Sequence, residues 1–115
     1  MIVKMDDGGS TCRISLGGTI SSPKSGETAP DPADVASFCK GRPALVSLAE
    51  ADFVDSSGIG WLLQCDKTLQ AAGAKMHLHS IPPNIQQVFT MLKLHKVLTL
   101  CNDEADAISR SQIEG

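Results

Sequence analysis

The sequence predicts an α/β domain built on a largely parallel or mixed sheet, and three observations carry that expectation. Cys12, Ile14 and Leu16 alternate with Thr11, Arg13 and Ser15, the period-two pattern of a strand with one face on a core. Ala44-Leu45-Val46-Ser47-Leu48 is a short, nearly continuous apolar run, which fits a central strand covered on at least one face. Between and beyond such segments apolar residues return at helical spacing, so helices and strands alternate along the chain.

The elements follow in order. Ile2-Val3-Lys4-Met5 precedes Asp6-Asp7-Gly8-Gly9, and apolar runs on either side of an Asp-Gly step predict a β hairpin over residues 1–16. Residues 17–32 hold Gly17-Gly18, Ser21-Ser22-Pro23, Ser25-Gly26 and Pro30-Asp31-Pro32. That density of breakers excludes a long helix, and a connection of this length is either mobile or used in binding. A short helix over 33–40 has Val35 and Phe38 on one side and Gly41 at its end. After the strand at 44–48 comes the clearest helix, with Ile59, Leu62, Leu63, Leu69 and Ala72 at helical spacing and Gly73 as its stop.

Met76 and Leu78 then alternate with Lys75, His77 and His79, a half-buried strand over 74–79. Pro82-Pro83-Asn84 opens a helix whose Ile85, Val88, Phe89 and Leu92 fall on one stripe. Residues 97–100 read as one more strand. Asn102, Asp103 and Glu104 supply a cap and first-turn acids for a last helix carrying Ala105 and Ile108. The polar residues 109–115 are expected to fray. No repeat is present, and 115 residues fit one domain, 1–115, with a single core.

Composition excludes several functions. A net charge of -3 and a pI near 5.5 argue against nucleic acid, whose phosphates call for a basic face. The first seven residues place acids where a secretory signal needs a basic start. Apolar runs fall short of the roughly 18 residues a membrane helix needs. A soluble, cytoplasmic chain with no membrane partner is expected. The four cysteines are spread out, without a CxxC pair, so reduced thiols are expected, with Cys12 and Cys65 packing as small hydrophobes.

The junction between strand 44–48 and the long helix reads Asp55-Ser56-Ser57-Gly58-Ile59-Gly60. Asp55 or Ser56 suits a helix cap, worth about 1 kcal/mol. Gly58 and Gly60 break a local rule, since each glycine in a helix costs roughly 0.5 to 1 kcal/mol relative to alanine. Bare glycines around Ser57 would let another protein's backbone or active site approach its hydroxyl. A phosphate there would add roughly -1.5 to -2 charge at pH 7, partly accommodated by the helix start and opposed by Asp55.

Asp55-Ser56-Ser57-Gly58-Ile59-Gly60 resembles the signature of the STAS domain, particularly the bacterial anti-sigma factor antagonists. The resemblance extends over an early strand ending in Leu16-Gly17, the run 44–48, a glycine before strand 74–79, and the segment from Ile81-Pro82-Pro83-Asn84 to Leu92-Lys93-Leu94. It implies a STAS-like mixed sheet of four to five strands with helices packed on one face. It also implies a non-enzymatic regulator, without cofactor, in which Ser57 is phosphorylated by a partner serine kinase that is itself the anti-sigma factor. A cognate phosphatase reverses the modification, and the unmodified antagonist captures the anti-sigma factor. Asp55, Ser56, Ser57, Gly58, Ile59, Gly60 and Trp61 are then the switch motif and partner-binding residues, Ser56 being the expected cap, on a monomer or weak dimer. The family's Gly-Glu-Leu-Asp type of motif is replaced here by Gly17-Gly18-Thr19-Ile20, so its acids are missing at Gly18 and Ile20. A stressosome-like scaffold, a lipid-transport accessory subunit and a two-component regulator stay open as uses of the same domain, as does nucleotide or anion binding.

Other chemistries are weighed against this. His77 and His79 share a strand face and could grip a metal, but no third ligand is near in sequence, so solvated or sheet-face histidines are expected. His95, beside Lys93 and Lys96, reads as a solvated residue at a helix end. Ser57 sits where a hydrolase nucleophile would, yet the sequence is Asp-Ser-Ser-Gly rather than Gly-x-Ser-x-Gly. No phosphate-binding P-loop is present. Trp61 lies about 100° from the centre of its helix's apolar stripe, at the edge of the core or, if exposed, as a partner anchor. Met91 and Leu94 lie off the stripe of theirs and mark a second place to look for an interface.

Overall fold

A computed structural model describes residues 2–21 and 31–114. Along the chain run β1 (Ile2–Asp7), β2 (Cys12–Ile20), α1 (Pro32–Cys39), β3 (Ala44–Val54), α2 (Ser56–Ala71), β4 (Met76–His79), α3 (Pro83–Met91), a 3₁₀ turn (Leu94–Lys96), β5 (Thr99–Leu100) and α4 (Glu104–Glu114). The five strands form one sheet in the order β1-β2-β3-β4-β5. β1 and β2 pair antiparallel, and the other three pairings are parallel.

This order dictates where the helices lie. Each parallel step moves one strand further across the sheet, and crossovers of one hand deliver their helices to one face. Ala44, Val46 and Leu48 of β3 share a buried core there with Leu62 and Leu69 of α2 and with Ile85 and Phe89 of α3. α1 enters through a capping box in which Asp31 accepts from the amide of Asp34 at 2.9 Å and Asp34 accepts from that of Asp31 at 3.2 Å, satisfying two amides a helix start would otherwise leave open. The expected helical face holds for α1 to α3. α4 departs from it and lies over the opposite face, where Leu45 packs with Cys101 and Ala107 and Arg13 of β2 pairs with Glu104.

Several boundaries also differ. β3 runs on to Val54 rather than stopping at 48, because β2 continues beside it and pairs Thr19 with Phe53 and Ile20 with Val54. β5 is only Thr99–Leu100, because the amides of Val97 and Leu98 bond to the Leu94 carbonyl at 3.0 and 2.7 Å. Leu92 follows the end of α3 and is 54 % exposed. Leu94, expected on an outer surface, is buried under the 3₁₀ turn. Residues 109–114, expected to fray, continue α4, with Ser111 buried and its hydroxyl donating to the Ile108 carbonyl at 2.7 Å. Of the breaker-rich stretch, residues 17–20 belong to β2 and Pro32 opens α1, while residues 22–30 lie outside the described residues.

Candidate functional site

The site forms where β3 hands over to α2. Asp55 holds an extended backbone, φ -97° and ψ 176°, and is tied in on every side. Its amide donates to the carbonyl of Ile20 at 3.1 Å, and its own carbonyl accepts from the amide of Ile59 at 3.0 Å. Its Oδ1 accepts from the amide of Gly58 at 2.8 Å and from the hydroxyl of Ser57 at 2.7 Å. The cap is therefore Asp55. Ser56, expected in that role, is the first helical residue and exposed; the acid one residue earlier has the extended backbone a cap needs. Asp55→Ala should cost about 1 kcal/mol, read as a fall of roughly 4–8 °C in Tm, and Asp55→Asn should retain most of it. An Asp55→Ala chain that melts with the wild type would remove the cap from this account.

The two glycines serve different ends. A Cβ on Gly58 would lie 1.9 Å from the carbonyl oxygen of Ile20 and 2.5 Å from its carbon, an overlap with main chain that nothing can relieve cheaply. Gly58 is buried, so its missing side chain admits β2 rather than a partner. A Cβ on Gly60 meets nothing within 4 Å, and Gly60 is exposed. Ser57 is exposed and Ile59 half-buried.

Trp61 is 6 % exposed and part of the main core, which rules out its use as a surface anchor. α2 packs against α1 as well as the sheet, so its buried face is wider than the apolar stripe alone. The aromatic that does reach the surface is Phe53, four residues before Ser57 and 48 % exposed. Sequence reasoning gave it no role; the available signal was that β3 must continue past 48 to meet α2. Beside it the carbonyl of Asp52 accepts from Asn84 Nδ2 at 2.8 Å, bracing α3 to this end of the sheet. Of the positions where acids are missing, Gly18 takes a left-handed φ of 73°, and Ile20 is fully buried with its carbonyl in the cap. An acid at 20 would be buried in the contact that seats α2.

The remaining candidates lie away from this junction. His77 and His79 lie opposite Leu45 and Ser47 and are both buried, not solvated, because α4 closes over that face. His95 is exposed. Among the described residues no group of three His, Cys, Asp or Glu side chains could hold a metal. All four cysteines are free and buried, and burial pushes the Cys65 thiol up to about 12, far from a reactive thiolate. Asp66, which the sequence did not flag, is buried and joins α2 to β4 by accepting from the amide of Met76 at 3.1 Å.

Burial holds the imidazole of His79 below its usual 6.5, against the pull of Glu104 and Asp103 and with the help of Arg13. A base whose pKa is lower folded than unfolded takes up protons on unfolding, so stability is lost as pH falls from 6.5 toward the folded value. The carboxylates of Asp7 and Asp106, lowered from 3.8 by hydrogen bonds first of all, act only in a more acid window. Urea midpoints should thus fall between pH 7.5 and 5.5, and the fall should shrink in His79→Gln. An equal fall in that variant would place the titration elsewhere.

A five-stranded mixed sheet with an Asp-Ser-Ser-Gly helix start is the architecture of one known class of small domains. The chain belongs to the STAS domain family, whose model matches residues 14–107. Over 69 residues it is 26 % identical to the anti-sigma F factor antagonist of Paenibacillus polymyxa, a match spanning 60 % of this chain and 59 % of that protein. A crystal structure of a candidate anti-sigma factor antagonist from Thermotoga maritima superposes with a TM-score of 0.73 at 9 % identity, covering 96 % of this chain and 94 % of the other. The anti-sigma factor antagonist SpoIIAA, in its unphosphorylated form, superposes with a TM-score of 0.66 at 19 % identity, covering 96 % and 98 %. At these identities the structural likenesses establish the fold. No described helix is long and apolar enough to cross a membrane.

Proposed function

We propose that this domain is an anti-sigma factor antagonist-like regulator. It binds a partner serine kinase, itself the anti-sigma factor, through the surface around Ser57, and phosphorylation of Ser57 releases it until a cognate phosphatase restores the hydroxyl. The observation that carries the reading is the exposed Ser57 hydroxyl, held 2.7 Å from the Asp55 carboxylate in the first turn of α2. It is accessible to a kinase, and its hydrogen bond is one that a phosphate must break. Phe53 supplies an apolar contact beside it of the kind that anchors interfaces. Membership of the STAS family and the antagonists among its relatives support a regulatory rather than an enzymatic role.

The test is incubation with ATP and the histidine-kinase-like ATPase encoded nearest to this chain, followed by intact mass measurement. One phosphate on the wild type and none on Ser57→Ala is the expected pair of results. No phosphate on the wild type, together with unchanged partner binding by Ser57→Ala and Ser57→Asp, would end the switch reading.

A further inference from the structure

Away from Ser57 the chain concentrates positive charge in one place. Lys75, His95, Lys96 and Arg110 line a groove of about 280 Å³ floored by residues 97–100. Three of the chain's ten Lys and Arg residues and one of its three histidines thus converge, and none of the lining residues is acidic, although the chain as a whole carries -3. Arg110 is braced there by Asp106, whose Oδ1 accepts from Nε at 3.2 Å.

The topology places this groove far from the switch. β3, β4 and β5 run parallel, and Ser57 follows the C-terminal end of β3. Lys75 immediately precedes β4, His95 and Lys96 precede β5, and Arg110 lies in the second half of α4, which returns from the C-terminal end of β5. The groove therefore belongs to the opposite end of a molecule about 30 Å across. Two further features narrow what fits. The groove runs along the two-residue edge strand β5, and Val97, at its side, is 62 % exposed.

We infer that this groove docks an acidic, extended segment of a partner protein, its carboxylates on the four basic side chains and an apolar residue on Val97. Charge complementarity selects an acidic partner, and the exposed valine beside the basic groups selects a peptide over a small anion. Because the groove lies at the end remote from Ser57, phosphorylation there leaves this contact in place, so a partner held here stays bound in both states of the switch. The inference does not depend on Ser57 being modified.

The probe is a short synthetic peptide of glutamates around a central valine, titrated into the ¹⁵N-labelled chain, with a glutamine-for-glutamate peptide and inorganic phosphate as controls. Shift changes are expected at Lys75, residues 95–100 and Arg110, with none for the glutamine peptide and the same titration in Ser57→Asp. Lys75→Glu combined with Lys96→Glu should weaken binding by about tenfold or more, and added salt should weaken it too. Changes scattered over Lys4, Arg13, Lys40 and Lys67, or unchanged affinity in the double variant, would overturn the proposal. So would phosphate occupying the same residues without competition from the peptide, which would make this a small-anion site.

Discussion

Gly58→Ala is expected to lower Tm by about 10–20 °C, while Gly60→Ala, two residues on in the same helix, raises it slightly. A methyl at 58 lands 1.9 Å from the Ile20 carbonyl oxygen, so either β2 or the first turn of α2 must move. Overpacking of this kind costs about 1–3 kcal/mol and sometimes more, and each kcal/mol is worth roughly 4–8 °C in a domain of about this size. The displacement also pulls on the Asp55 amide, which donates to the same carbonyl, so the cap weakens together with the packing. At Gly60 the methyl meets open space, and the helix gains about 0.5–1 kcal/mol from the lost freedom of glycine. Thermal unfolding followed by circular dichroism reads both. Equal melting of the two variants would show that Ile20 and α2 are not in contact.

The second large effect is on binding. Ser57→Asp should weaken capture of the partner kinase by about 30-fold or more, with Tm close to wild type. The helix start favours an added negative charge by about 0.3–1 kcal/mol, and the Asp55 carboxylate opposes it by about 1 kcal/mol for unit charges 4 Å apart in water. These nearly cancel, so the fold tolerates the charge. A partner lying flush on the same surface strips the water away, and an unpaired charge there costs about 2 kcal/mol or more, which is the stated loss of affinity. Calorimetric titration of the two variants against the unmodified partner checks it. If Ser57→Asp binds like wild type while Ser57→Ala binds more weakly, the hydroxyl is a contact and not a switch.

Most of the fold was readable because most of it is periodic. The stripe of α3 placed Ile85 and Phe89 correctly in the core, and the alternation of Cys12, Ile14 and Leu16 matched buried positions of β2. β3 escaped notice past 48 because its inward residues there are Leu48, Ala51 and Val54, a spacing of three that breaks the alternation by which a strand is read. The position of α4 was not legible either: three apolar contacts, Leu45, Cys101 and Ala107, are too few and too far apart in sequence to announce a second face. At the site, the hexapeptide stood out on local chemistry alone. What it concealed were contacts made from a distance. Gly58 answers to Ile20, thirty-eight positions earlier, and Trp61 is covered because α2 packs on α1 as well as on the sheet.

The spacing of three in β3 reflects a difference in count. From Ser47 to Val54 the strand takes seven steps, while its partner β2 takes five from Ser15 to Ile20, the excess being absorbed at two separate irregularities. Each irregularity leaves two successive residues outward, so that Ala51 after the first and Val54 after the second both still face the core. A single deletion among residues 48–53 would shift Val54 off Ile20 and with it the Asp55 amide off the Ile20 carbonyl, unseating the switch while leaving every residue of its motif in the sequence.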